Sequence, residues 1–225
     1  MSVDFEKIKD KNKKKLLIIG CSATKLSGGD KFQNNFFETY DGVKDYRNVI
    51  LGKYSDLLND PKQIDYFNKK RREIGLVDNI YFNNQINDNL FLPALERYSG
   101  GSFFTPTHRS LYYKKNQQSN LHILIISGFY GILEFRDSII DYQLDINKFK
   151  VWNNTNVINQ TAKKYIEDNG IDKDLVFYSL SPTSYEKALK PDKAWHSLWK
   201  IRQGGRSVNT KDSADYLVND FLPNL

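Results

Sequence analysis

The chain has 225 residues, 40% of them hydrophobic and 14% aromatic, with one cysteine, three histidines and a net charge of +6. That length supports one large domain able to bury roughly 70% of its unfolded surface. The composition excludes a disordered chain, a disulfide-stapled miniprotein and a Cys-based zinc site, and three scattered histidines do not make a His-rich metal site. No apolar run reaches the ~20 residues of a membrane span, and the first residues lack a signal-peptide pattern, so the expected compartment is the cytoplasm.

In chain order, the first strong signal is Leu16-Leu17-Ile18-Ile19, closed by Gly20-Cys21-Ser22. A second run, Ile123 to Ile126, ends in Ser127-Gly128, and a third, Leu175 to Tyr178, ends in Ser179-Leu180-Ser181-Pro182. Each is short, continuous and stopped by turn-forming residues, the pattern of a strand buried on both faces. Between the first and second runs, 43–58, 63–74 and 89–98 carry apolar stripes and predict helices. Gly100-Gly101 and Pro106 mark a loop. Residues 156–169 carry Val157, Ile158, Thr161, Ala162, Tyr165 and Ile166 at helical spacing, with Gly170 as the stop. A last helix is expected over 212–221. The fold class is therefore α/β: a single domain over 1–225, with a mainly parallel sheet, flanking helices and a helical insertion at about 30–100.

In such a sheet ligands bind outside the carboxyl ends of the strands. The three runs end in Cys21-Ser22-Ala23-Thr24-Lys25, Ser127-Gly128-Phe129-Tyr130-Gly131 and Ser181-Pro182-Thr183-Ser184-Tyr185. Hydroxyls, free amides and one lysine are the chemistry of a phosphate or nucleotide cradle. Cys21, Ser22, Ser127, Gly128, Tyr130, Gly131, Tyr142, Ser181 and Tyr185 are the expected ligand contacts, with Lys25 on a phosphate. Residues 22–25 also match S-x-x-K, but Leu26-Ser27-Gly28-Gly29 follows, where that dyad needs a helix. Cys21 has no histidine near it in sequence to make it a thiolate, and reads as packing. Asp141 follows the second strand and is the candidate catalytic carboxylate, with Lys25 the second catalytic candidate as its ion-pair or acid–base partner. No cofactor or metal is expected.

The positive charge is concentrated. Residues 187–211 carry Lys187, Lys190, Lys193, Lys200, Arg202, Arg206 and Lys211 against Asp192 alone, interleaved with Trp195, His196 and Trp199. Cations for phosphates beside rings for bases suit a nucleic-acid surface, with Lys200, Arg202 and Arg206 at its centre. The same composition also suits a solvated basic helix. His108-Arg109, Tyr112-Tyr113 and Lys114-Lys115 form a second basic, aromatic cluster.

Ile125 to Leu133 resembles the "LSGLYGLL" segment of the YaaA peroxide-stress-resistance family. Asp137 to Asp145 is similar to the "D-L-I-x-P-Y-R-L-E" stretch that follows in that family. Leu180 to Leu189 resembles its "N-L-A-S-x-E-Y-x-K-A-L", and Leu95 to Gly100 the segment before its "G-x-x-Y" stretch. Gly20 to Lys25 is closer to the "C-S-x-x-K-L" opening of related YaaA-like domains. The departures are Asp141 for the family proline, Gln143 for its arginine, and a missing proline after the first serine. The resemblance covers residues 16–26 and 92–190. It implies an α/β body with a basic DNA-binding cleft, a helix-hairpin-helix-like element, and a role in limiting oxidative DNA damage.

Three functions stand side by side. One is a nucleic-acid-binding protein with a nucleotide or base crevice at the sheet edge. The second is an enzyme on a nucleoside or nucleotide, cleaving an N-glycoside or exchanging a base, with Asp141 stabilising an oxocarbenium-like state. The third is an interaction domain whose basic segment binds an acidic protein.

Overall fold

The computed structural model describes residues 5–22, 25–26, 28–29, 43, 45, 91–99, 103–139, 142, 146, 152–180, 184–198 and 214–225. Most of the expected insertion at 30–100, and the basic stretch at 199–213, lie outside them.

Among the described residues five strands form one sheet: β1 (Lys15–Gly20), β3 (Leu121–Ser127), β4 (Gly131–Glu134), β6 (Val176–Ser179) and β7 (His196–Ser197), in the order β4-β3-β1-β6-β7. β1 runs parallel to β3 and to β6, β6 runs parallel to β7, and only β4 is antiparallel. A two-residue pair, β2 (Leu92–Pro93) and β5 (Ser138–Ile139), stands apart. The mainly parallel α/β architecture is thus present. Its three central strands are the three continuous apolar runs, and Leu16 to Ile19 and Ile123 to Ile126 have no exposed surface. Burial of each such side chain stabilises the fold by roughly 1.5–3 kcal/mol, so these runs cannot alternate with polar residues.

Side-chain alternation assigns the helices to two faces. Leu17 lies in register with Phe177, whose ring packs 4.8 Å from Phe221 of the C-terminal helix. The helix preceding β3, Pro106–Ser119, joins that face, where His108 Nε2 donates to Ala214 O and Lys115 Nζ to Pro223 O. On the other face His122 meets Tyr165 of the helix Val157–Asp168, and Tyr178 donates to Glu186 of the short helix Tyr185–Leu189. Among the described residues the α-helices given labels are, in chain order, α1 (Phe5–Lys9), α2 (Ala94–Arg97), α3 (Pro106–Ser119), α4 (Val157–Asp168) and α5 (Tyr185–Leu189).

α4 matches its periodicity. Ile158, Thr161, Ala162, Tyr165 and Ile166 are buried, which is one apolar stripe. Gly170, at φ +60, closes the helix: Ile171 N donates to Ile166 O and Gly170 N to Glu167 O, the paired bonds of a Schellman stop. α3 has no comparable stripe and buries only His108, Tyr112 and Ser119. Its start is set by Thr105, whose hydroxyl accepts from His108 N, with Pro106 in the first turn. The expected loop at Pro106 is therefore a helix start, and the basic, aromatic cluster lies along this helix. There His108 and Tyr112 enter the core, while Tyr113 and Arg109 bond Glu96. Of the expected helix at 212–221, residues 214–216 are described as helical, and it continues as a π-helix over Leu217–Phe221 and a 3-10 turn over Leu222–Asn224. Among the described residues no helix is long and apolar enough to cross a membrane.

Candidate functional site

The parallel register decides which strand ends meet. Gly20 pairs with Ile126, and Ile19 with Ser179. Cys21, Ser127 and Leu180 therefore leave the sheet at one carboxyl edge. The chain departs from β1 toward β3 on one side, and from β6 toward β7 on the other. That reversal makes the gap between β1 and β6 the switch point, where ligands of open α/β sheets bind. Cys21 and Tyr185 border it, both half-buried, with Cys21 Sγ 3.2 Å from Tyr185 Oη. The Tyr185 ring lies against the end of β1, so a Cβ on Gly20 would sit 3.2 Å from it.

Beside the gap lies a closed polar cluster. Lys25 is 3% exposed. Its ammonium donates to Ser22 O at 3.1 Å and lies 4.4 Å from the centre of the Tyr142 ring and 5.5 Å from that of Tyr98. A desolvated cation on an aromatic face gains about 2 kcal/mol, which helps to hold a buried charge. Tyr142 Oη lies 2.6 Å from Ser127 Oγ and 2.5 Å from Tyr98 Oη. Ser127 Oγ also accepts from Tyr130 N at 3.0 Å. Burial raises both phenols well above their ordinary pKa, Tyr98 further by proximity to Cys21 and Tyr142 by proximity to Tyr98 and Cys21. They are neutral hydrogen-bonding groups, not bases. The cluster offers a fixed positive charge on a rigid floor.

Two devices hold this floor. Arg97 is fully buried and donates through Nε to Ile139 O and through Nη2 to Gly28 O at 2.8 Å, with Nη1 on Leu26 O. It ties the segment after Lys25 to α2. Trp152 donates from Nε1 to Gly128 O at 3.0 Å and lies flat on Gly131. Gly131 has φ +77, and a Cβ there would lie 2.5 Å from the Trp152 ring. Both the left-handed backbone and the close approach require glycine.

Of the expected contacts, Lys25, Cys21, Ser22, Ser127, Gly128, Tyr130, Gly131, Tyr142 and Tyr185 fall within the described residues. The structure brings Lys25, Ser127 and Tyr142 together, places Cys21 against Tyr185, and turns Ser22 Oγ to Ser99 O. Phe129, Tyr130 and Tyr142 pack on one another at ring distances of 4.9–5.6 Å, so these rings are already engaged. The Gly128 carbonyl is held by Trp152, and Gly131 starts β4. Asp141, Ser181, Lys200, Arg202 and Arg206 lie outside the described residues. Each histidine has partners of its own: His108 with Ala214 O, His122 with Tyr165, and His196 with Asp174 O.

Sequence reasoning did not single out Tyr98, Arg97 or Trp152 as site residues. The Arg97-Tyr98 pair stands between an apolar segment and two glycines, but its partners lie some 40 to 70 positions away. No local pattern encodes that.

The model of the family described as "Peroxide stress protein YaaA" matches residues 34–208. A UPF0246 protein of Rickettsia bellii (strain OSU 85-389) is 26% identical over 201 residues, covering 81% of this chain and 73% of its own. A UPF0246 protein of Rickettsia bellii (strain RML369-C) matches with the same figures, 26% over 201 residues. The family match takes in Ser127, Tyr142 and Tyr185, and begins after Cys21, Ser22 and Lys25.

Proposed function

Because the chain belongs to the YaaA peroxide-stress family, we propose that it is a nucleic-acid-binding protein that holds a nucleotide or base at the carboxyl edge of its sheet. The observation that carries this reading is the register of β1, β3 and β6, which brings Cys21, Ser127 and Leu180 to one carboxyl edge beside the switch point. In this account the ligand lies against Cys21 and Tyr185. The buried Lys25 cluster beneath supplies positive potential without moving. The net charge of +6 and the cations at Lys200, Arg202 and Arg206 suit a polyanion that extends beyond the crevice. Protection of DNA during peroxide stress is the physiological role that follows from this reading.

The test is binding of the purified chain to single-stranded DNA, duplex DNA and RNA at two salt concentrations. Affinity is expected to fall steeply with salt. Replacing Lys200, Arg202 and Arg206 together by alanine lowers the salt slope by roughly one for each phosphate no longer held. Lys25→Met, which keeps length and removes charge, weakens binding without changing that slope by more than about one. An affinity indifferent to salt, or untouched by all four substitutions, sinks the proposal.

A further inference from the structure

The amino end of β3 borders a cavity of about 310 Å³, lined by Asn116, His122, Glu134, Arg136, Asp137, Tyr165 and Asn169. It lies at the opposite edge of the sheet from Lys25, and nothing in the proposed function uses it. Its lining follows from the topology. Antiparallel pairing sets Glu134 opposite Leu124, so Glu134 shares a face with His122, two residues earlier on β3. α4 brings Tyr165 to the same face, where its hydroxyl lies 2.9 Å from His122 Nδ1.

Several polar atoms here are only partly satisfied. Glu134 Oε2 accepts from Arg136 N at 2.7 Å, whereas Oε1 has no protein partner among the described residues. His122 bonds through Nδ1, and its Nε2 is without a protein partner among the same residues. Arg136 is exposed, stacks 4.5 Å above Phe135, and donates from Nη2 to Asn116 Oδ1, its other guanidinium donors being without a protein partner among the described residues. Lys14 donates to Asn169 O close by. A half-buried carboxyl therefore faces a more exposed guanidinium across a small polar space.

We propose that this cavity binds a small zwitterion, with a primary ammonium on Glu134 and a carboxylate on Arg136, as a free α-amino acid would present them. A lone cation meets Arg136 and Lys14 at the rim, and a lone anion meets Glu134 and Asp137 within. A ligand carrying both charges a few bonds apart satisfies both. The volume lies at the lower end for ligand pockets. No group of three His, Cys, Asp or Glu side chains among the described residues could hold a metal ion, so the carboxyl is not reserved for one.

The proton inventory fits this ligand. Burial raises the Glu134 carboxyl to about 7, with Asp137 raising it further and Arg136 opposing. Burial, with Lys14 and Arg136, lowers the His122 imidazole to about 4, so it is neutral at pH 7 and does not repel an ammonium. Tyr113 of α3 and Tyr165 of α4 are the other titratable groups near Glu134 and His122. An ammonium on Glu134 favours the ionised carboxyl, so binding below pH 7 releases a proton.

The experiment titrates the full chain with the twenty standard α-amino acids, and with methylammonium and acetate as single-charge controls, by calorimetry in two buffers of different ionisation enthalpy. Saturable binding of at least one amino acid is expected, with proton release at pH 6.5 and no comparable binding of either control. Glu134→Gln and Arg136→Gln should each weaken it by about tenfold or more. Arg136 is exposed, so its variant tests the site without disturbing the core. No binding by any amino acid overturns the proposal, as does binding that survives either substitution, or methylammonium binding as tightly as the zwitterion.

Discussion

At the carboxyl end of β3, Ser127, Tyr142 and Tyr98 satisfy one another's hydroxyls around a buried lysine. At its amino end, His122 and Glu134 each keep a polar atom with no protein partner among the described residues, facing a cavity. One strand thus ends in a closed network and begins in an open one. Closed networks rigidify a fold and resist titration, whereas partly satisfied ones remain available to ligands and protons. The two ends should differ sharply when their residues are changed.

The arginines give the largest contrast. Arg97 is buried and donates to three backbone carbonyls, and Arg136 is exposed. Arg97→Ala strands those acceptors and leaves a void, and is expected to destabilise the chain by roughly 3–5 kcal/mol. Arg136→Ala should change stability by about 0.5 kcal/mol or less. Urea unfolding of both variants measures the difference, and equal midpoints contradict the distinction between a closed and an open end.

A pair of glycines sharpens the picture at intermediate size. Gly131 and Gly170 both have positive φ, but a Cβ on Gly131 would collide with Trp152, and one on Gly170 would meet nothing within 4 Å. Gly170→Ala should lose about 1 kcal/mol, the left-handed penalty alone. Gly131→Ala adds overpacking and should lose roughly 2–4 kcal/mol. The excess, read from thermal unfolding, reports how rigidly Trp152 holds the turn beside Ser127.

The smallest effect is the pH response of the open end. The folded imidazole of His122 takes up a proton only near pH 4, and the unfolded one near 6.5. Its contribution to stability is complete above about pH 6.5 and is lost as pH falls toward 4. Glu134 has the opposite sign. The folded carboxyl keeps its proton to about pH 7 and the unfolded one releases it near 4.5, so its contribution is complete below 4.5 and lost as pH rises through 7. Stability should therefore be greatest between these limits. Glu134→Gln should flatten the alkaline side by about 1–2 kcal/mol, allowing for partial exposure to solvent. Denaturation at pH 5, 6, 7 and 8 follows this, and an unchanged alkaline slope in the variant contradicts it.

How much of this could be read from the sequence depends on the range of the interactions. Continuous burial left its mark on β1, β3 and β6, because a strand covered on both faces must be apolar throughout. α4 was legible because it is amphipathic, with a glycine stop. α3 was not, since it buries only His108, Tyr112 and Ser119, although Thr105-Pro106 is a helix-start signature. β4 was missed because four residues after a glycine turn carry too little pattern. The convergence of Cys21, Ser127 and Leu180 at one edge follows from three strands pairing in parallel. The link from Tyr98 to Tyr142 and the reach of Arg97 are tertiary, and no spacing announces them. Of the insertion, only scattered positions and the segment from Phe91 are described: the expected helix at 89–98 is a two-residue strand followed by one helical turn, Ala94–Arg97.

Hydrogen exchange read by mass spectrometry, on the chain with and without a single-stranded oligonucleotide, shows which edge of the sheet meets the nucleic acid. Exchange should slow in peptides covering Gly20 to Ser22, Ser127 to Gly131 and Ser184 to Glu186, with those covering His122 and Glu134 unchanged. Binding without protection at the carboxyl edge, or protection at the amino edge instead, would contradict the proposed function.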